Sequence, residues 1–458
     1  MLFNSVEFIF IFLPITFILY YSLARIKYIR LALYVLILMS LIYYSYWYPF
    51  NLLVLLFSIL FNYAFGTILN RIPSKVILTL GISFNLLLLG YFKYYNFFIQ
   101  NINSFTHLSL QALSITLPIG ISFFTFQKVG YLVDSYKQKT SHYKFSSYLL
   151  FVVFFPQLIA GPIVHHSKLV PQFSDTSIFN FNYENITRGI FLFTIGLSKK
   201  LLLADSLAPL ANTVFDKSEG LTLLEAWGGA LSYTLQLYFD FSGYSDMAIG
   251  LALIFNIKLP INFDSPYKSL NIIDFWRRWH ITLSSFLRDY LYISLGGSRK
   301  GKFRKYLNLF ITMVLGGIWH GAGWTYVIWG ILHGLYLLTN HAFRDLGFKM
   351  SAIPARIMTL FFVTLAWIFF RANNLSDANK VLSGFLGLNG VKFHNLTYIN
   401  KQEVILIIFA VIIVLLPNSN QILDKFKPNF RWFVFIMVLM ILSLYSLNNP
   451  SQFLYFQF

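Results

Sequence analysis

The chain has 458 residues, of which 57% are apolar, 19% aromatic and 11% charged; an ordinary soluble domain carries about 25% charged residues, so this balance excludes a water-soluble protein. Thirty-five lysines and arginines face 17 acids, a net charge of +18, yet the basic residues fall in short clusters between long apolar runs, as in positively charged cytoplasmic loops and unlike a nucleic-acid-binding surface. The absence of cysteine excludes disulfides, a thiolate nucleophile, cysteine-based zinc or iron–sulfur sites and palmitoylation.

A span needs about 20 residues, so this length predicts on the order of ten to thirteen transmembrane or re-entrant helices. They form one all-α, polytopic integral membrane domain over residues 1–458. The first apolar run, Phe8 to Tyr21, has no basic residue before it and Arg25, Lys27 and Arg30 after it. That bias places the N-terminus outside the cytoplasm, and with no A-x-A-like site the run reads as a span, not a cleaved signal peptide. Plain apolar helices follow over 31–49, 50–69 and 76–98, punctuated by Arg71 and Lys75.

From Pro118 onward polar groups enter the apolar stretches: PIGISFFTFQKVGYLVDSY, FFPQLIAGPIVHH, FTIGLSKKLLLAD and QLYFDFSGYSDMAIGLA. In hydrocarbon such groups are costly unless they face protein or a water-filled cavity, so helices broken by Pro and Gly predict a buried pocket or tunnel. The glycines also suit close helix packing, whereas the intramembrane acids Asp240 and Asp246 read as functional. Residues 271–341 run NIIDFWRRWHITLSSFLRDYLYISLGG, then SRKGKFRKY with five basic residues from 299 to 305, then LNLFITMVLGGIWHGAGWTYVIWGILHGLYLL. The basic cluster marks a cytoplasmic loop or rim. Lys425, Lys427 and Arg431 precede the last apolar run, 433–447, and direct the C-terminus out of the cytoplasm.

Of nine histidines, two stand in the most informative settings. His320, in GGIWHGAGW, is an imidazole that burial keeps neutral, a good general base or a packed core histidine; Gly316, Gly317, Gly321 and Gly323 allow a ligand or a backbone to approach it. His280, in WRRWHITLS, adjoins Arg277 and Arg278, which suit phosphate or carboxylate. His333 lies thirteen residues beyond His320, about 220° round one continuous helix, so it is expected to face another way and to be structural. His165 and His166 are adjacent, there is no H-E-x-x-H, and no acid stands at ligand spacing from His280 or His320, so no metal site is expected. No Walker A sequence and no G-x-S-x-G elbow occur. Residues 451–458 end in FLYFQF, which suits an interfacial aromatic belt or, given a base, a terminal phenol that enters a tunnel and accepts an acyl group.

DFWRRWHITLSSFLRDYLYISLGG and GGIWHGAGWTYVIWGILHG, together with MLFNSVEFIFIFLPI, QLYFDFSGYSDMAIGLA and AWIFFRANNLSDA, resemble the membrane-bound O-acyltransferase (MBOAT) family in its bacterial alginate and peptidoglycan O-acetylation branch. The resemblance implies helices around a central tunnel, with His320 and His280 as catalytic histidines. The tail resembles the end of the small membrane protein of teichoic acid D-alanylation, which implies Tyr455 as acyl acceptor. It further implies acetyl-CoA as donor substrate, with no tightly bound cofactor. The donor's phosphates would meet Arg277, Arg278, Arg299 and Lys300 at the basic rim. An extracytoplasmic transferase of the serine-hydrolase (SGNH) type would be the partner, and a lipid-embedded place in the bacterial inner membrane follows. Three other readings stand beside it: a D-alanyl transferase fed by a carrier protein, a proton-coupled transporter or flippase using the intramembrane acids, and a structural partner whose histidines only pack.

Overall fold

The computed structural model describes all residues except 107, 141, 218, 394–395, 449–452 and 455–458. Among the described residues every regular element is a helix, as the all-α reading expects. Four helices are long and apolar enough to cross a membrane: Phe8–Arg25, Pro49–Arg71, Lys75–Thr106 and Ala352–Arg371. The pair Lys401–Leu415 and Ser419–Lys425, bent by 52°, adds a fifth if it counts as one span. Ile29–Ser45 and Phe430–Tyr445 are shorter apolar helices. The central helix Leu223–Ile254 is buried along almost its whole length. A helix surrounded by protein can carry Gln236, Asp240 and Asp246 and need not be uniformly apolar.

Glycine sets how closely this centre packs. Tyr183–Ser198 runs antiparallel to Leu223–Ile254 with Gly189 against Gly250 and Gly196 against Gly243; a Cβ on Gly196 would stand 2.5 Å from the Gly243 carbonyl oxygen, and one on Gly189 2.6 Å from that of Gly250. The contact continues into ion pairs, Lys199 Nζ to Asp246 Oδ2 at 2.7 Å, and Lys200 Nζ to Asp240 Oδ1 at 2.7 Å and Asp205 Oδ1 at 2.9 Å. The two intramembrane acids are thus held by the lysines of the LSKKLLLAD segment.

A second antiparallel pair, Gly301–His320 and Trp324–Asp345, is tied at its basic end by Tyr306 Oη donating to Asp345 Oδ2 at 2.9 Å. Gly330 presses against the opposite backbone, where a Cβ would lie 2.6 Å from the Met313 oxygen. The chain breaks between the two helices at extended Gly321 and Gly323. The one-helix arithmetic separating His320 from His333 therefore does not hold: both rings pack on Trp329, with centroids 5.0 and 4.7 Å away.

Arg25, Arg71, Lys75, Lys302 and Arg344 gather at one end of the helices, which is the basic end. At the far end Arg371 pairs with Asp216 at 2.6 Å. The C-terminal tail does not lie in an interfacial belt where it is described. Phe453 is buried, edge-on to Tyr244 at 4.8 Å with the Lys200 ammonium 4.8 Å above its ring, and the Leu454 amide donates to Asp240 Oδ2 at 3.1 Å. Phe3, also buried, stacks on Tyr244 at 4.9 Å.

Candidate active site

Two cavities enter the protein from opposite ends. The basic-end cavity, about 180 Å³, is lined by Phe126, Gln127, Ile163, His165, Thr282 and Tyr290, with Lys168 and the ion pair of Arg288 with Asp289 at 2.7 Å. The far-end cavity, about 60 Å³, is lined by Lys93, Ser122, Phe123, Ile159, Trp319 and His320. An aromatic layer stands between them: Phe126 stacks on Trp319 at 4.8 Å and on Phe286 at 4.3 Å, and Phe123 meets Trp319 at 5.7 Å.

His320 closes the Gly301–His320 helix, and its ring contacts Trp319, Trp329 and Phe370 at 4.9–5.2 Å. Its backbone is fixed by Lys93, whose ammonium donates to the carbonyls of Trp319 at 2.7 Å and His320 at 2.9 Å and to Ser122 Oγ at 3.2 Å. The last carbonyls of a helix lack partners within it, so Lys93 acts as the cap of the helix that carries the histidine. Of the glycines around His320, Gly317 and Gly321 make room for Tyr326, its carbonyl and its ring respectively, and Gly316 and Gly323 meet only ordinary contacts. Protein packing therefore accounts for the two tight ones.

His280 lies in the break between the short helices Ile272–Arg278 and Ile281–Phe286, in left-handed backbone with φ 43° and ψ 54°. It is fully buried, with Phe241 edge-on at 4.7 Å and Phe123 at 6.4 Å. Asn262 Oδ1 lies 3.1 Å from His280 Nδ1 and also accepts from the Thr282 amide at 3.2 Å and hydroxyl at 2.9 Å. An amide oxygen can only accept, so with Oδ1 facing the ring Nδ1 carries the proton and Nε2 the lone pair. The Phe123 ring links the two histidines: it lies 6.4 Å from the His280 ring and 5.7 Å from Trp319, whose ring is 4.9 Å from that of His320. The two predicted histidines are thus brought together at the aromatic layer. His333 stands beside them, its Nδ1 accepting from Trp276 Nε1 at 3.2 Å.

The other predicted positions spread out. Arg277, Arg299 and Lys300 are exposed at the basic end. Arg278 donates from Nε to Asp274 Oδ1 at 2.9 Å and from NH1 to the Asp264 carbonyl at 3.3 Å, so intraprotein partners hold its guanidinium. None of the four lines the basic-end cavity; Lys168 and Arg288 do. Tyr455 lies outside the described residues. Sequence reading missed Lys93, Asn262, Lys168 and Arg288. Only Lys93 gave a signal, as a lone cation inside an apolar run.

The model of the membrane-bound O-acyltransferase family matches residues 41–376. The chain is 45% identical to a peptidoglycan O-acetyltransferase of Helicobacter pylori, over 99% of this chain and 90% of that one. It is 42% identical to a probable alginate O-acetylase of Pseudomonas aeruginosa, over 82% of this chain and 73% of the relative. A teichoic acid D-alanyltransferase of Bacillus subtilis is 28% identical over 60% of this chain and 70% of its own. The chain is a membrane protein and an acyltransferase, and it belongs to the membrane-bound O-acyltransferase family.

Proposed function

We propose that the protein is a multi-pass O-acetyltransferase of a bacterial inner membrane that carries acetyl groups from cytoplasmic acetyl-CoA to an extracytoplasmic polysaccharide, peptidoglycan or an alginate-type polymer. The observation that carries this reading is the meeting of His280 and His320 at an aromatic layer between cavities that open at opposite ends. Acetyl-CoA approaches from the basic end, where Lys168 and Arg288 line the cavity and Arg277, Arg278, Arg299 and Lys300 attract its phosphates. The acceptor is the Tyr455 phenol. His320, assisted by His280, takes the phenol proton as the oxygen attacks the thioester carbon. The C–S bond then breaks, and the leaving thiolate takes the proton back as free CoA. Closely packed aromatic rings keep water from the thioester, and general-base help of this kind contributes about 10² to 10⁴ in rate. A separate SGNH-type transferase outside then moves the acetyl group from Tyr455 to the polymer.

The greater similarity to O-acetyl-transferring relatives than to the D-alanyl one supports an acetyl group. The pairing of Asp240 and Asp246 with Lys200 and Lys199 leaves a proton-coupled transporter without a specific observation in its favour. The test is incubation of the purified protein with isotope-labelled acetyl-CoA, followed by peptide mass spectrometry of the C-terminal peptide. Label on Tyr455 in the wild type and none in His320→Ala supports the relay. CoA release with an unlabelled tail removes Tyr455 from it, and no CoA release overturns acetyl-CoA as donor. In cells, Tyr455→Phe abolishes polymer acetylation at unchanged protein level; normal acetylation would reject the shuttle.

A further inference from the structure

We propose that Asp134, His165 and His166, with Tyr290 beside them, bind one divalent transition-metal ion, zinc by the chemistry of its ligands, in the wall of the basic-end cavity. Three distant segments bring the groups together: Asp134 near the end of Ile121–Tyr136, the histidines after the Gly161–Pro162 turn, and Tyr290 in Leu287–Tyr292. His165 Nε2 and His166 Nε2 each stand 3.0 Å from Asp134 Oδ2, and the three ligand atoms lie within 4.8 Å of one another. Tyr290 Oη is 2.6 Å from the same oxygen and touches His165 Nε2. In a tetrahedral site with zinc–nitrogen and zinc–oxygen bonds of about 2.0–2.1 Å the ligand atoms stand about 3.3 Å apart, so an ion fits with only small side-chain shifts.

The hydrogen-bond arithmetic favours an ion over a purely hydrogen-bonded knot. A single carboxylate oxygen has two lone pairs, and here it faces three hydrogen-bonding groups at once. A cation shared among Oδ2 and the two Nε2 atoms removes the competition. The other face of each ring is already held, His166 Nδ1 by Tyr143 Oη at 3.0 Å and His165 Nδ1 by Ser167 Oγ at 2.8 Å. Such outer partners fix the orientation of ligating histidines. Asp134 and His166 are buried and His165 is half-buried, and both histidines line the cavity. Three protein ligands with a cavity on the fourth side are the pattern of a site that keeps one position for water or a ligand oxygen, not of a closed structural site. With one carboxylate against two positive charges, the ion adds positive charge to a cavity that holds Lys168 and the Arg288–Asp289 ion pair. The assignment does not depend on which acyl group the enzyme transfers.

The test uses the full-length protein in detergent, carrying a tag without histidine, stripped with a chelator and titrated with zinc against a chromophoric competitor. The expected result is about one equivalent bound per chain, falling to under about 0.1 in His166→Gln and Asp134→Ala variants that elute as wild type, unchanged in His142→Ala, and weakened about 10- to 100-fold in Tyr143→Phe. Wild-type protein that takes up less than about 0.1 equivalent, or variants that bind as wild type, would overturn the proposal. Cobalt(II) loaded into the wild-type chain gives a reading that no variant's folding can obscure. Intense four-coordinate visible bands support the site, and a spectrum indistinguishable from aqueous cobalt rejects it.

Discussion

At His280 the backbone and the imidazole make separate demands. Left-handed backbone costs most residues about 1–2 kcal/mol, and asparagine and histidine tolerate it better than most. His280→Asn therefore keeps both the turn and a donor toward Asn262 while removing the ring nitrogen that carries the lone pair. The expected outcome is a protein of normal yield and gel-filtration profile whose CoA release falls by about 10² or more. Unaltered turnover would make His280 a turn residue only. Lys93→Met leaves the Trp319 and His320 carbonyls without their charged donor, a loss of about 1–3 kcal/mol. Thermal unfolding in detergent should register it, with partial recovery in Lys93→Arg. His320 and His280 stood out in the sequence by their Trp, Gly and Arg neighbours. The residues that hold them did not, because Asn262 and Lys93 lie 18 and 227 positions away along the chain and meet the histidines only through the fold.

Among the helices, glycine positions separate contact from mere tolerance. Gly196→Ala drives a Cβ to 2.5 Å from the Gly243 carbonyl oxygen, too close without parting the two helices that carry the Lys–Asp pairs. It is expected to reduce the folded fraction sharply, measured by fluorescence-detected gel filtration. Gly90→Ala meets nothing within 4 Å and is expected to be neutral or to stabilise by about 0.5–1 kcal/mol, since a helical glycine carries an entropic penalty. The sequence showed that glycine and polar residues thicken after Pro118 and that a buried centre lies there. It did not show how many helices span the membrane, because a helix sheathed by protein is released from the apolar composition that span counting relies on. Nor did it show that Gly321 and Gly323 break the helix, which is why His333 came out on the wrong side.

Across the whole molecule, charge is distributed by end: basic residues collect where the larger cation-lined cavity opens. If that end receives an anionic donor, the cations that line the cavity matter more than those on its exposed rim, since exposed charges are screened over about 10 Å at 0.1 M salt. Charge reversal at Lys168 and Arg288 is expected to raise the KM for acetyl-CoA several-fold more than reversal at Arg299 and Lys300, with kcat little changed in either case. Equal effects would place the recognition on the rim. The rim cluster was the part visible in sequence, as a run of five basic residues; the two cavity cations stand singly and carried no pattern.

The docking of Phe3 and Phe453 on the one ring of Tyr244 has a consequence for cooperativity. Two residues 450 positions apart share one partner, so loosening either segment uncovers the same slot between Tyr244, Lys200 and Asp240. The two segments are expected to come loose together, and a change at Phe3 should be felt at the amide of Leu454.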